Sequence, residues 1–335
     1  MSTAEPAPVR WGILGTGDIA ATFTEDLLIL DDHVVAAVGS RDARRARKFA
    51  GMYGIERSYG SYEDLAADDS LDVIYVATPH SEHADGARLC LRAGRAVLAE
   101  KPFTATAAEA ADVIALARDR GLFAMEAMWT RFNPLVREIR DLVAGGAIGR
   151  VTAIQADLGG APAYRPERRL WNPDLAGGAL LDLGVYPLSF ASMLLGEPDA
   201  VHALAALAPT GVDANTAIIA RYPGGAVGDY QCGLWATSPR TATITGTGGW
   251  ITVGSPFYRP AQFAIARGGG EPETSSISLR GHGYTYQADE VARCLREGLT
   301  ESPVMPLAGT LSVMRTLDAA RAGIYGTVPA ADAPG

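Results

Sequence analysis

The apolar positions of the first third of the chain fall into short unbroken runs. Residues 9–14, 34–38, 73–77 and 96–99 are runs of this kind, with the length and pattern of strands buried on both faces. Between them, 19–30, 43–52, 82–93 and 107–120 carry apolar residues at helical spacing. In 43–52, Ala46, Phe49 and Ala50 form one apolar side of an otherwise basic segment. Repeated strand–helix units predict a parallel sheet with helices on both faces and right-handed crossovers. After about residue 130 the pattern changes. Residues 134–143 predict a helix closed by Gly145-Gly146, 150–158 alternate as an extended strand, and 161–174 form a loop rich in Arg and Pro. Residues 178–195 predict a helix ended by Gly196. From 200 to 279, alternating Thr- and Val-containing segments are separated by turns at Pro223-Gly224-Gly225, Gly248-Gly249 and Gly268-Gly269-Gly270. That grammar predicts a mostly antiparallel sheet. Residues 284–297 and 307–325 predict closing helices, and the tail 330–335 is expected to be disordered.

The length of 335 residues suggests two domains at about 150 residues each. Hydrophobic residues at 48% and charged residues at 20% are ordinary for a globular chain and exclude a disordered, collagen-like or coiled-coil protein. Gly, Asp or Arg breaks every apolar run before the ~20 residues a membrane span needs. The opening stretch, residues 1–8, lacks the basic start and apolar core of a signal peptide. A formal net charge of −9 argues against general nucleic-acid binding. Cys90, Cys232 and Cys294 are widely spaced and make no Cys/His cluster, so no metal site is expected. Three thiols without a secretory signal fit a reducing, cytoplasmic location, each as a small buried apolar residue.

The first strand runs into Gly12-Ile13-Leu14-Gly15-Thr16-Gly17-Asp18-Ile19-Ala20. Gly15, Gly17 and Ala20 have the GxGxxA spacing of a dinucleotide-binding turn. Gly15 permits the tight turn, Gly17 lets a pyrophosphate approach the backbone, and Ala20 allows close helix–strand packing. The helix N-terminus, with Thr16, Asp18 and Ile19 around it, would then face phosphate. Such a spacing is weak evidence by itself; here it lies in the required strand–turn–helix context. The expected fold is therefore α/β: an N-terminal Rossmann doubly wound parallel sheet over 1–128, and a C-terminal α+β domain with a large, mostly antiparallel open sheet over 129–330. An acidic residue at the end of the second strand would bind a free ribose 2′-OH. This strand instead ends in Ser40-Arg41, suited to hydrogen-bond and pair with a 2′-phosphate. Arg44 and Arg45 add charge. Asp42 dissents unless it caps the next helix. NADP(H) is the expected cofactor and NAD the less favoured one.

Further motifs resemble the Gfo/Idh/MocA oxidoreductase family over nearly the whole chain. The most specific is Glu100-Lys101-Pro102, directly after the fourth recognised strand. Thr78-Pro79-His80-Ser81-Glu82-His83 resembles the family's T-P-x-x-x-H segment beside the nicotinamide. Glu126-Ala127-Met128-Trp129-Thr130-Arg131-Phe132 and the segment from Gly177 through Asp182 to Tyr186-Pro187 are similar to the branch holding dimeric dihydrodiol dehydrogenases and NADP-dependent D-xylose dehydrogenases. Many family members have His where this chain has Tyr186.

The resemblance implies a substrate domain that dimerises through its sheet, hence a homodimer. It implies hydride transfer between NADP(H) and a carbinol carbon of a sugar or cyclic diol. Lys101 lies at the carboxyl edge of the sheet, where ligands of open α/β sheets bind, and could favour charge developing on a carbonyl oxygen. Asp182 and Tyr186, four apart on a predicted helix, share a face. With the resemblance, Lys101, Asp182 and Tyr186 are the expected catalytic residues, with Tyr186 as acid/base. Thr78, Pro79, His83 and Glu100 join the expected cofactor site. Trp129, Arg131, Arg169, Asn172 and Tyr186 are expected at the substrate. Two other readings use the same fold: redox-assisted glycoside hydrolysis with tightly held NAD, and a non-catalytic NADP-binding sensor. Ser40-Arg41 disfavours the first, and the retained Lys101, Asp182 and Tyr186 disfavour the second.

Overall fold

A computed structural model describes residues 7–326; the expected disordered tail at 330–335 lies outside them. Among the described residues, the first unit contains β1 (Val9–Leu14), α1 (Asp18–Leu28), β2 (His33–Gly39), α2 (Ala43–Tyr53), β3 (Arg57–Tyr59), α3 (Tyr62–Ala66), β4 (Val73–Val76), α4 (His83–Arg92), β5 (Ala96–Ala99), α5 (Ala107–Arg120) and β6 (Ala124–Glu126). The six strands are parallel in the order β3-β2-β1-β4-β5-β6. That is the doubly wound order, with the direction of winding reversing between β1 and β4. The reason for the fold is the one read from sequence: β1, β4 and β5 bury nearly every side chain and require helices on both faces. Trp11, Phe23 and Tyr75 fill one side of the core, with Phe23 and Tyr75 ring centroids 4.1 Å apart. The buried Trp11 indole N–H donates to His33 Nδ1 at 2.8 Å.

The second unit contains α6 (Pro134–Ala144), β7 (Val151–Gly159), α7 (Val185–Leu195), β8 (Ala200–Leu207), β9 (Asp213–Arg221), β10 (Val227–Gly233), β11 (Ala242–Gly246), β12 (Gly249–Val253), β13 (Gln262–Arg267) and β14 (Glu273–Ser276). Its sheet runs β14-β13-β12-β11-β7-β10-β9-β8, with only the β7–β10 pair parallel. β9 alternates buried and exposed residues, as a sheet packed on one face does. By length and composition alone, the stretch Pro173–Leu195 could cross a membrane. Asp182 and several glycines interrupt it. Its residues are mostly buried within the protein, as in a core helix.

The compact units divide the chain differently from a boundary at 128/129. The first unit runs through Asn133 and also takes Ser278–Thr310; the second comprises Pro134–Ile277 and the chain from Leu311 onward. The returning segment carries α8 (Thr285–Arg296), and the division falls inside α9 (Leu307–Tyr325). Two interactions explain the return. Trp129 stacks on Tyr284 with centroids 4.2 Å apart. The buried Asp26 carboxylate of α1 accepts backbone N–H bonds from His282, Tyr284 and Thr285 at 2.7–3.2 Å. Both join residues too distant in sequence for local pattern to reveal.

Candidate active site

At the end of β1, Gly15 adopts φ +112° and its N–H donates to Gly39 O at 2.9 Å. A Cβ here would stand 2.6 Å from Ala77 O, whereas one at Gly17 would meet no atom within 4 Å. Gly15 thus serves the turn and the approach of the next loop, and Gly17 leaves its outer side open. Gly17 is the N-cap of α1 and offers no side-chain cap, so the first helical N–H groups are left for other acceptors. Thr16, Asp18 and Ile19 surround that terminus partly or fully exposed, while Ala20 is fully buried. After β4, the buried Thr78 Oγ1 has no hydrogen-bond partner. An open turn, uncapped helix N–H groups and an orphaned hydroxyl fit a dinucleotide pyrophosphate.

At the end of β2, Ser40 is buried and its Oγ accepts from the Asp42 N–H at 3.3 Å. Asp42 Oδ1 accepts from the Arg44 N–H at 2.8 Å, capping α2. That bond holds the Asp42 carboxyl below its ordinary range, and the dissenting acid is a cap. Arg41 donates to Glu82 Oε1 at 2.7 Å, and its guanidinium lies 5.8 Å from the centroid of Tyr62. Arg45 lies exposed on α2.

Pro79 opens the short turn His80–Glu82 that leads into α4. His83 is buried, with Nδ1 2.7 Å from Pro102 O and Nε2 2.9 Å from Thr78 O. Burial pushes its pKa down to about 3, and a neutral imidazole donates to one of the two carbonyls. His83 ties the loop after β4 to the one after β5, the position of a strut. Glu100 is also buried; its carboxylate accepts from the Tyr75 hydroxyl and, at 3.1 Å, from the Lys101 N–H. Lys101 is half-buried at the carboxyl end of β5, and the Lys101–Pro102 peptide is cis.

Trp129 and Arg131, expected at the substrate, are buried in the first unit at 5% and 4% exposure. Glu126, the last residue of β6, is fully buried. Burial raises its pKa to about 7 against the opposing attraction of Arg131. Between pH 4.5 and 7 the unfolded chain ionises this carboxyl while the folded chain keeps it protonated, so its contribution to stability falls as pH rises. Glu126→Gln is therefore expected to gain stability relative to the wild type over that interval. Urea unfolding midpoints at pH 5 and pH 7 check this; an unchanged difference between the two proteins would contradict it.

In the second unit, the helix expected over 178–195 begins with a π turn, Leu180–Gly184, before α7. Asp182 lies in that turn and Tyr186 in the first turn of α7. Both are buried. Asp182 Oδ1 accepts from Arg169 at 2.9 Å, so the 161–174 loop and the turn are joined by an ion pair. The Asn172 side chain accepts from the Asp174 N–H, capping Pro173–Leu175. Trp171 is fully buried, donating to Ala163 O at 3.0 Å. The Tyr186 ring packs against Tyr258 with centroids 5.3 Å apart. Gly177 and Gly178 cannot be larger: a Cβ at Gly177 would lie 2.6 Å from Arg169 O, and one at Gly178 2.1 Å from Asp213 Oδ1. Sequence reasoning missed Asp213. Its buried Oδ2 accepts from the Leu180 N–H and from Thr216 Oγ1, each at 2.7 Å, and its N–H donates to the Tyr325 hydroxyl at 2.6 Å. Its local signal is slight, an Asp within the region 200–279 that the sequence predicts to be β. Among the described residues, no group of three His, Cys, Asp or Glu side chains could hold a metal ion.

The chain is 38% identical over 333 residues to mouse trans-1,2-dihydrobenzene-1,2-diol dehydrogenase, covering 96% of this chain and 98% of that protein. It is 39% identical to D-xylose 1-dehydrogenase (NADP(+)) of Hypocrea jecorina, covering 96% and 93%. Among solved structures, a 3-ketoreductase from Actinomadura kijaniata in complex with NADP and TDP-benzene superposes with a TM-score of 0.85 at 28% identity, over 95% of this chain and 98% of that one. Residues 9–128 match the model of the oxidoreductase family with an NAD-binding Rossmann fold, and 136–252 match that of the GFO/IDH/MocA C-terminal domain. With its Gly15–Gly17 turn, its Glu100-Lys101-Pro102 segment and both family domains matched in order, the chain belongs to the Gfo/Idh/MocA oxidoreductase family.

Proposed function

We propose that this protein is an NADP-dependent dehydrogenase or reductase acting on a carbinol or carbonyl carbon of a sugar or cyclic diol. The observation that carries the reading lies at one edge of the parallel sheet. There the Gly15–Gly17 turn follows β1, Ser40-Arg41 follows β2, Thr78 follows β4 and Lys101 follows β5, as ligand sites of open α/β sheets require. The dihydrodiol and D-xylose dehydrogenases it resembles support the substrate class. The NADP named with the relatives supports the cofactor.

In this reading Gly15, Thr16, Gly17, Asp18 and Ile19 hold the pyrophosphate through the α1 terminus. Ser40, Arg41 and Arg45 receive the 2′-phosphate. Thr78 and Pro79 line the cofactor, while His83 and Glu100 act beneath it by fixing the loops that carry Thr78 and Lys101. When bound, the nicotinamide supplies the hydride donor or acceptor. Tyr186 exchanges the substrate hydroxyl proton, since a phenol is protonated at neutral pH. The Lys101 ammonium favours negative charge on the substrate oxygen and on the phenolate. Asp182, held by Arg169, orients the substrate together with Asn172. Trp129 and Arg131 shape the site from within the first unit. The direct test is reduction of NADP+ by aldoses and trans-dihydrodiols; growth of NADPH absorbance is expected with at least one, and none with either class would sink the reading.

The protein is further proposed to be a cytoplasmic homodimer. Leu204 is 80% exposed and Ile219, Val227 and Trp250 also project into solvent from the strands of the second sheet, an apolar face that a second copy would cover. Light scattering is expected to give twice the chain mass of 35.1 kDa; a monomer would contradict it.

A further inference from the structure

Arg41 and Glu82 stand 41 residues apart and follow different strands, β2 and β4, yet their side chains meet. The Arg41 Nη1 group donates to Glu82 Oε1 at 2.7 Å. The side chains are 65% and 28% exposed, so the pair sits at the rim and not in the core. Glu82 is held on its side: its N–H donates to Pro79 O at 2.9 Å, and the next residue, His83, is anchored between Thr78 O and Pro102 O. Tyr62 lies against the guanidinium. A carboxylate on a fixed backbone therefore occupies the arginine that the NADP reading assigns to the 2′-phosphate.

We propose that Glu82 is a specificity-determining residue that opposes the 2′-phosphate and limits the preference for NADP over NAD. The inference rests on the proposed role of Arg41. A phosphate monoester carries −1.5 to −2 charge at neutral pH. To receive it, Arg41 must share its donors between phosphate and carboxylate, or release Glu82 altogether. Either way, a fixed negative charge stands beside the incoming one. Like charges so placed cost binding, while a cofactor with a free 2′-hydroxyl meets no such repulsion. Arg41 supplies attraction for the phosphate and Glu82 subtracts from it, so their ratio sets the discrimination. Sharing the rim with solvent, the effect is moderated by screening.

The test is fluorescence titration of the full-length protein with NADPH and NADH, for the wild type, Glu82→Gln, Glu82→Lys and Arg41→Ala. Glu82→Gln is expected to tighten NADPH about tenfold and to leave NADH within about twofold, with the gain shrinking at high salt. Glu82→Lys should tighten NADPH further. A merely structural role would move both cofactors together. Unchanged or weaker NADPH binding in Glu82→Gln would overturn the proposal. The role of Arg41 is judged separately: if Arg41→Ala leaves NADPH affinity unchanged, the 2′-phosphate reading fails, whatever the Glu82 variants do.

Discussion

Tyr186→Phe is expected to lower kcat by about 10²–10⁴-fold, the range spanned by general acid–base catalysis, with cofactor affinity within about twofold of the wild type. The substitution removes only the phenolic O–H. The ring stays, so its packing against Tyr258 and the first turn of α7 are kept. Loss of activity then reports proton exchange and not collapse of the helix. Lys101→Met should fall in the same range, since it removes the ammonium while preserving much of the stem. The double variant should be little worse than the more damaged single one, because residues acting in one proton step are strongly non-additive. Steady-state kinetics with NADPH titrations check all three. Near-normal kcat in either single variant would remove that residue from the chemistry.

Arg41→Ala is expected to weaken NADPH binding by about 10–150-fold, the loss of one charge-assisted interaction worth about 1.5–3 kcal/mol, and to leave NADH nearly unchanged. Arg41 directly follows Ser40, whose hydroxyl lies at the end of β2, and Asp42 is turned away into the cap of α2. With the acid committed to the helix, the basic residue is the one left to meet the ribose substituent. Equal losses for NADPH and NADH would show that Arg41 acts on the fold of the loop and not on the phosphate.

The parts legible in the sequence were those where burial and local turn chemistry act together. β1, β4 and β5 are short apolar runs because both faces of the parallel sheet are covered, and Gly15 stands where a Cβ would meet Ala77 O. β3 and β6 span three residues each, too short for a period to show. The π turn at Leu180–Gly184 depends on tertiary neighbours: a Cβ at Gly184 would lie 3.2 Å from Cys232 Sγ, and Asp213 holds the Leu180 N–H. The return of α8 to the first unit rests on Asp26, more than 250 residues away. At the site, residue types were readable but commitments were not. An Asp in the position of Asp42 suits either a ligand or a cap, and its bond to the Arg44 N–H makes it a cap; the pairing of Glu82 with Arg41 spans 41 residues and has no local pattern.

The most direct test of the central claim follows the hydride itself. Aldoses deuterated at C1 and trans-dihydrodiols deuterated at the carbinol carbons are incubated with the protein and NADP+, and the recovered cofactor is examined by mass spectrometry. One deuterium per NADPH formed from at least one of these substrates is the predicted result. Unlabelled cofactor throughout, with glycoside cleavage by protein carrying a non-exchanging NAD, would contradict it.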